Sequence, residues 1–330
     1  MDYIYWVVSR ACNQRCPHCY NNSSPEAPGL SVEEMRRCVA NFPDPAKVHL
    51  GCVMLSGGEV LAWPELLYAT LRELRDRYGE ATELALQTNG DFLDAGHLDA
   101  MLDHGVTRID IASMDPYHRK STREREGALR ELFATRGVVE KTDGLSTRPR
   151  GQRPPLYGMW GATEGTWIGA LWPRGRAYRN NLSRARATDD FCRNWSGAKS
   201  FLNHDAAPGE GCEISLQLSD VYPCCPMTCR PIGDALHENV IAMLDRCREH
   251  PAWRALNDGY PERMGEYLGL SEEHGFKRSA ELGNHCLWCD EFFAEHAPEL
   301  GHRGGRTERG TVDLTIAGER LARLTSKPLR

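Results

Sequence analysis

Cys12-Asn13-Gln14-Arg15-Cys16-Pro17-His18-Cys19 follows directly on Tyr3-Ile4-Tyr5-Trp6-Val7-Val8, a run of aromatic and β-branched residues. The run reads as a strand and the cysteines as the loop at its end. Three thiolates this close on one loop can bind three irons of a cubane 4Fe–4S cluster. The fourth iron is then left open to an exogenous chelator. A zinc site completed by a distant fourth ligand is the competing reading, but zinc ribbons more often show paired CxxC knuckles.

Beyond that loop, short apolar runs alternate with amphipathic stretches. Ser31 to Phe42 predicts a helix, with Ser31 as N-cap and Glu34 completing a capping box. Strands are predicted at Lys47–Ser56, Glu83–Thr88 and Arg108–Ile111, and helices at Pro64–Tyr78 and Ala95–His104. A helical signal over Glu124–Gly137 leads into a polar loop, Lys141–Pro155, after which strands return at Leu156–Trp160 and Thr166–Trp172. This rhythm implies a parallel sheet with helical crossovers. About six βα units fit before residue 180, too few for a closed eightfold barrel. From about Thr188 cysteines become frequent, Ile214 to Tyr222 reads as a hairpin, and a helix spans His237–Arg248. The stretch from Gly301 is rich in Gly, Arg and Thr and reads as peripheral.

The chain has 330 residues, 41% apolar and 26% charged, which suits one large domain plus a smaller one. Its formal net charge is −6 and no long Lys/Arg run breaks it, so the footprint of a nucleic-acid binder is missing. The N-terminus has an acidic second residue and no long apolar segment, which predicts a cytoplasmic protein without a membrane span. Disulfides are rare in that compartment. Thirteen cysteines, an odd number in short spacings, therefore point to metal ligation.

CxxxCxxC at the end of a first strand resembles the radical S-adenosylmethionine (SAM) superfamily in spacing and position. His18 stands where that family usually has an aromatic residue, and Tyr20 follows. Further matches keep the family's order: Ser56-Gly57-Gly58-Glu59 at the second strand's end, Gln87-Thr88-Asn89-Gly90 at the next, and Ile109 to Asp115 resembling its SxD strand end. Pro173-Arg174-Gly175-Arg176-Ala177 resembles the GRA segment that closes the core, so the likeness spans roughly residues 3–180. The resemblance implies an α/β fold, a partial (β/α)6 TIM-like barrel over residues 1–185. It implies Cys12, Cys16 and Cys19 as cluster ligands, and His18, Tyr20, Gly57, Gly58, Glu59, Thr88, Asn89 and Ser113 around bound SAM. Glu59 is expected to hold the SAM amino group and Ser113 to lie near the ribose. One electron, from a donor such as flavodoxin or ferredoxin, would cleave SAM to methionine and a 5′-deoxyadenosyl radical that takes hydrogen from substrate.

The second half carries Cys192, Cys212, Tyr222-Pro223-Cys224-Cys225, Cys229, Ile232-Gly233-Asp234 and Cys286-Leu287-Trp288-Cys289. This resembles the auxiliary-cluster domain called SPASM or its shorter form, twitch, over residues 186–300, with 301–330 as a tail. No cysteine lies beyond Cys289, which favours one auxiliary 4Fe–4S cluster and hence two clusters in all. Cys224, Cys286 and Cys289 are the expected ligands, with Cys212 as the fourth and Cys192 as its alternative. Cys38, Cys52 and Cys247 read as buried packing.

Short twitch-type relatives oxidise or epimerise a carbinol carbon of aminocyclitols and aminoglycosides, intermediates of antibiotic biosynthesis. A small polar substrate of that kind is expected, handled by an oxidoreductase or epimerase, with a maturase of ribosomally made peptides as the alternative. Asp115, His118, Glu164 and Asp220 are candidates for holding a cationic amino sugar, and Trp160, Trp167 and Trp172 for an apolar wall. Returning hydrogen to a carbon radical needs a weak X–H bond, which makes Cys192, Cys225 and Cys229 candidate donors.

Overall fold

The computed structural model describes residues 1–163, 171–194, 196–228 and 230–300. In it the run Tyr3–Ser9 forms β1, and six of its seven residues are buried. Successive side chains of a strand point to opposite faces. Ile4, Trp6 and Val8 accordingly join the main apolar core, while Tyr5 and Val7 pack on the other face with Trp172, Phe191 and Cys225.

On one side of β1 lie β2 (Cys52–Gly57), β3 (Glu83–Thr88), β4 (Val106–Ile111), β6 (Leu156–Met159) and the two-residue β5 (Val139–Glu140). They run parallel in the order β5-β6-β4-β3-β2-β1, with Tyr3 opposite Cys52 and Val7 opposite Ser56. Parallel neighbours need crossovers. Helices α1 (Val32–Ala40), α2 (Pro64–Tyr78), α3 (Ala95–Asp103) and α4 (Arg123–Ala134) fall between the strands along the chain. Helix α1 starts where the sequence predicts, with the Ser31–Glu34 capping box formed. Strand β2 starts later than the predicted Lys47, because the N–H groups of Lys47 and Val48 turn back to the Asp44 carbonyl. The polar loop after β5 holds a short helix, α5 (Asp143–Ser146), and a tight turn at Arg150–Gln152. Most of the predicted strand Thr166–Trp172 lies outside the described residues.

On the other side of β1 the chain returns from far along the sequence. The predicted hairpin forms as β7 (Glu213–Gln217) and β8 (Asp220–Tyr222), and β9 (Gly233–Asp234) follows. β7 lies parallel to β1, Tyr3 opposite Glu213 and Val7 opposite Gln217, so both halves of the chain share one sheet, nine-stranded among the described residues. The fold is thus α/β on a mostly parallel sheet, the open partial barrel expected.

Helices α7 (Val240–Arg248), α8 (Pro251–Asn257), α9 (Glu272–Leu282) and α10 (His285–Glu291) follow, with α6 (Gly175–Arg179) before the hairpin. Trp253, Trp288, Phe292 and Phe293 fill the core among them. Among the described residues no helix is long and apolar enough to cross a membrane.

Candidate active site

The ends of β1, β2, β3 and β4 open into one cavity of roughly 1060 Å³, counting the space at its mouth. Cys12, Cys16 and Cys19 line it together. Their loop is held from two sides. Asn13 and Gln14 donate to Asp91 Oδ2 at 2.8 and 2.7 Å, and Arg176 donates to the Cys16 and Cys19 carbonyls at 2.8 and 2.9 Å. Burial pushes the Cys12 thiol up to about 12. None of the three is in a disulfide. Three free thiols converging on one cavity, with no fourth in their loop, fit a cluster that keeps one iron open.

Gly57 and Gly58 line the same cavity, and they do so by letting backbones touch. Gly58 N–H donates to the Ser9 carbonyl at 2.8 Å, and a Cβ there would sit 2.3 Å from the Ala11 carbonyl oxygen. Only glycine permits that approach.

Glu59 departs from expectation. It is 1% exposed and is not among the cavity-lining residues. Its carboxylate accepts from Thr88 Oγ1 at 2.6 Å, Asn89 N at 2.7 Å and Leu61 N at 3.0 Å. Burial raises its pKa while these bonds oppose the rise. Glu59 therefore braces Thr88 and Asn89, which do line the cavity, instead of facing it. Ser113 is likewise interior at 0% exposure: its hydroxyl donates to the Asn89 carbonyl at 2.8 Å and accepts from Arg125 at 3.1 Å. A Glu59→Gln change sets an amide donor against these donors. SAM affinity is expected to fall about ten- to a hundredfold, from roughly 1.5–3 kcal/mol of charge-assisted bonding. Equilibrium binding on protein with unchanged iron content checks this, and equal affinity refutes the brace.

His18 stacks on Tyr117 with centroids 4.7 Å apart and meets His118 edge-on at 5.0 Å. Burial pulls its pKa down to about 4, so it stays neutral. His118 is also buried, but its 2.9 Å contact to Asp115 more than offsets that and lifts its pKa to about 9. Both Asp115 and His118 line the cavity, as do Trp160 and Trp172.

In the same cavity Tyr5 donates to Ser56 Oγ at 2.7 Å and Gln87 Oε1 at 3.0 Å, joining side chains of β1, β2 and β3. Tyr20 packs edge-on to Trp172, centroids 4.7 Å apart, and its hydroxyl lies 3.5 Å from Cys225 Sγ. Cys225 thus lines the same cavity as Cys12, Cys16 and Cys19.

A second group of thiols lies apart. Cys192 is within electrostatic reach of Cys224 and Cys286, and Arg174 is within reach of Cys224, Cys286 and Cys289. Burial raises the pKa of Cys192 and Cys224 strongly and that of Cys286 to about 11. Four thiols within reach of one another or of the Arg174 cation, two of them buried, fit a metal centre that would hold them as thiolates.

Cys212, expected as the fourth of this group, is elsewhere. It precedes β7, which runs parallel to β1, so it sits at the start of both strands, whereas the cavity is at their ends. Its carbonyl accepts from the Asp2 and Tyr3 N–H groups, and its thiol donates to the Phe201 carbonyl at 3.3 Å. Cys192, the alternative, is the thiol within reach of Cys224 and Cys286. Asp220 is buried on β8 within reach of Arg10 and does not line the cavity. Cys38, Cys52 and Cys247 are buried in the apolar clusters. Glu164, Trp167 and Cys229 lie outside the described residues. Asp91 and Arg176, which hold the loop, are not among the predicted site residues; Asp91 follows the end of β3, and Arg176 lies in α6 within the Pro173–Ala177 segment.

Residues 6–135 match the family model for the radical SAM superfamily. Over 123 residues the chain is 33% identical to the GTP 3′,8-cyclase of Erythrobacter litoralis (strain HTCC2594), covering 36% of this chain and 35% of that protein. The chain thus spans about a third of that relative's length. The solved structure of BtrN in complex with AdoMet and 2-DOIA aligns with TM-score 0.47 and 12% identity over 82% of this chain and 89% of that one. Native anSMEcpe with bound AdoMet aligns with TM-score 0.48 and 12% identity, over 91% and 98%. The likeness to the radical SAM superfamily thus rests on the segment that bears the three-cysteine loop.

Proposed function

We propose that this protein is a radical SAM enzyme acting on a small polar molecule, an aminocyclitol or aminoglycoside intermediate. It abstracts hydrogen from a carbinol carbon to give an epimer or a ketone. The observation that carries the reading is the single cavity lined by Cys12, Cys16 and Cys19 together with Cys225, Tyr5, Ser56 and Gln87. A reduced 4Fe–4S cluster, which Cys12, Cys16 and Cys19 would hold, would supply with SAM the 5′-deoxyadenosyl radical.

The chain's own residues supply the rest. Tyr5, Ser56 and Gln87 are uncharged hydrogen-bonding groups suited to hydroxyl recognition. Asp115, held below the usual carboxylate range by His118 despite its burial, forms with it an ion pair on the cavity wall that offers hydrogen bonds to polar groups of a substrate. Trp160 and Trp172 shield the reacting carbon from water. Cys192, Cys224, Cys286 and Cys289 hold the second cluster.

The test is a panel of aminocyclitol and aminoglycoside intermediates with anaerobically reconstituted, dithionite-reduced protein. A substrate of this class is expected to raise 5′-deoxyadenosine formation well above the uncoupled background. SAM cleavage that no member of the panel accelerates would exclude the substrate class and leave the radical chemistry standing.

A further inference from the structure

We infer that Arg174 positions the second cysteine group and sets its redox properties. It ties together the two segments that carry the thiols, and its charge favours the reduced form of an iron–sulfur centre held there. This rests on reading Cys192, Cys224, Cys286 and Cys289 as ligands.

Arg174 is 2% exposed, and all its nitrogens are used. Nε donates to the Pro226 carbonyl at 2.9 Å, and Nη2 donates to the Met227 carbonyl at 2.9 Å and the Cys286 carbonyl at 3.2 Å. Nη1 donates to the Pro173 carbonyl at 3.1 Å and pairs with Asp290 Oδ2 at 2.9 Å. One side chain therefore joins the loop bearing Cys224 to the helix bearing Cys286 and Cys289. Met227 is held at φ +67°, a conformation a non-glycine residue adopts only when its surroundings fix it.

The same short segment reaches the first cysteine loop. Gly175 has φ +52°, and a Cβ there would sit 2.1 Å from the Tyr20 carbonyl oxygen. Arg176 holds the Cys16 and Cys19 carbonyls. Arg174-Gly175-Arg176 thus braces both thiol groups.

A fixed cation beside a centre favours the form with one more electron, because that form is more negative. Guanidinium does not lose its proton under any condition of the assay. Asp290 acts with the opposite sign.

The experiment is a redox titration of the reconstituted full-length chain with dithionite, following by EPR the signal that SAM does not perturb. Arg174→Gln is expected to lower the reduced-to-oxidised ratio at fixed potential at least tenfold, about 59 mV for one electron. Arg174→Lys is expected to keep most of the wild-type value, and Asp290→Asn to shift it the other way. If Arg174→Gln loses the second centre's iron, the Lys and Asn variants carry the test. Shifts of one sign in both charge variants, or none, overturn the redox role. About four irons per wild-type chain would instead remove the second centre itself.

Discussion

Replacing Cys12, Cys16 and Cys19 with alanine is expected to abolish SAM cleavage and halve the iron, from about eight to about four per chain. The effect should be complete because no other thiol can substitute. Among the described residues, Cys225 is the one further cysteine lining the cavity, and its thiol is engaged with the Tyr20 hydroxyl at 3.5 Å. The fold should survive. The loop is also pinned by contacts that do not use the sulfurs, with Asp91 holding the Asn13 and Gln14 amides and Arg176 holding the Cys16 and Cys19 carbonyls. Iron assay, the reduced-cluster spectrum and chromatography of 5′-deoxyadenosine check each part. Residual cleavage above background would mean that the radical arises elsewhere in the chain. Alanine at Cys38 or Cys247 serves as the control, since both are buried in apolar packing, and should leave iron and cleavage unchanged.

On the epimerase form of the proposed reaction, Cys225→Ala is expected to leave hydrogen abstraction running while removing the epimer. Burial, opposed only in part by a bond to Tyr20, raises the thiol's pKa well above its ordinary value. The group therefore stays S–H across the neutral range, the form a hydrogen donor requires. Its 2% exposure keeps bulk water from quenching the carbon in its place. Without the thiol, the stranded carbon radical loses an electron to an iron–sulfur acceptor and a proton to the medium, and leaves as a ketone. 5′-Deoxyadenosine should still form, and epimer should fall to background. In heavy water the wild type should place one solvent deuterium at the inverted carbon, because a thiol exchanges its hydrogen with solvent. A wild-type product that is already a ketone and carries no solvent deuterium would identify a dehydrogenase and remove Cys225 from this role.

Local pattern by itself determined much of this protein. Helix α2 and strand β3 form with the predicted bounds, Pro64–Tyr78 and Glu83–Thr88, since apolar periodicity and turn residues are short-range signals. The Ser31–Glu34 capping box formed for the same reason. The first three thiols were legible because all lie within eight residues of one another on the loop after β1. What lay beyond reach depended on which distant segments meet. The parallel insertion of β7 beside β1 decided that Cys212 falls at the strand starts and Cys192 joins Cys224 and Cys286. Tertiary packing also turned the Glu59 carboxylate and the Ser113 hydroxyl inward onto the Thr88–Asn89 turn, and put Cys225 against Tyr20 in the cavity. Spacing along a chain fixes what a single loop can bind. Strand order and direction, set by burial across some two hundred residues between β1 and β7, decide which end of the sheet a distant cysteine reaches.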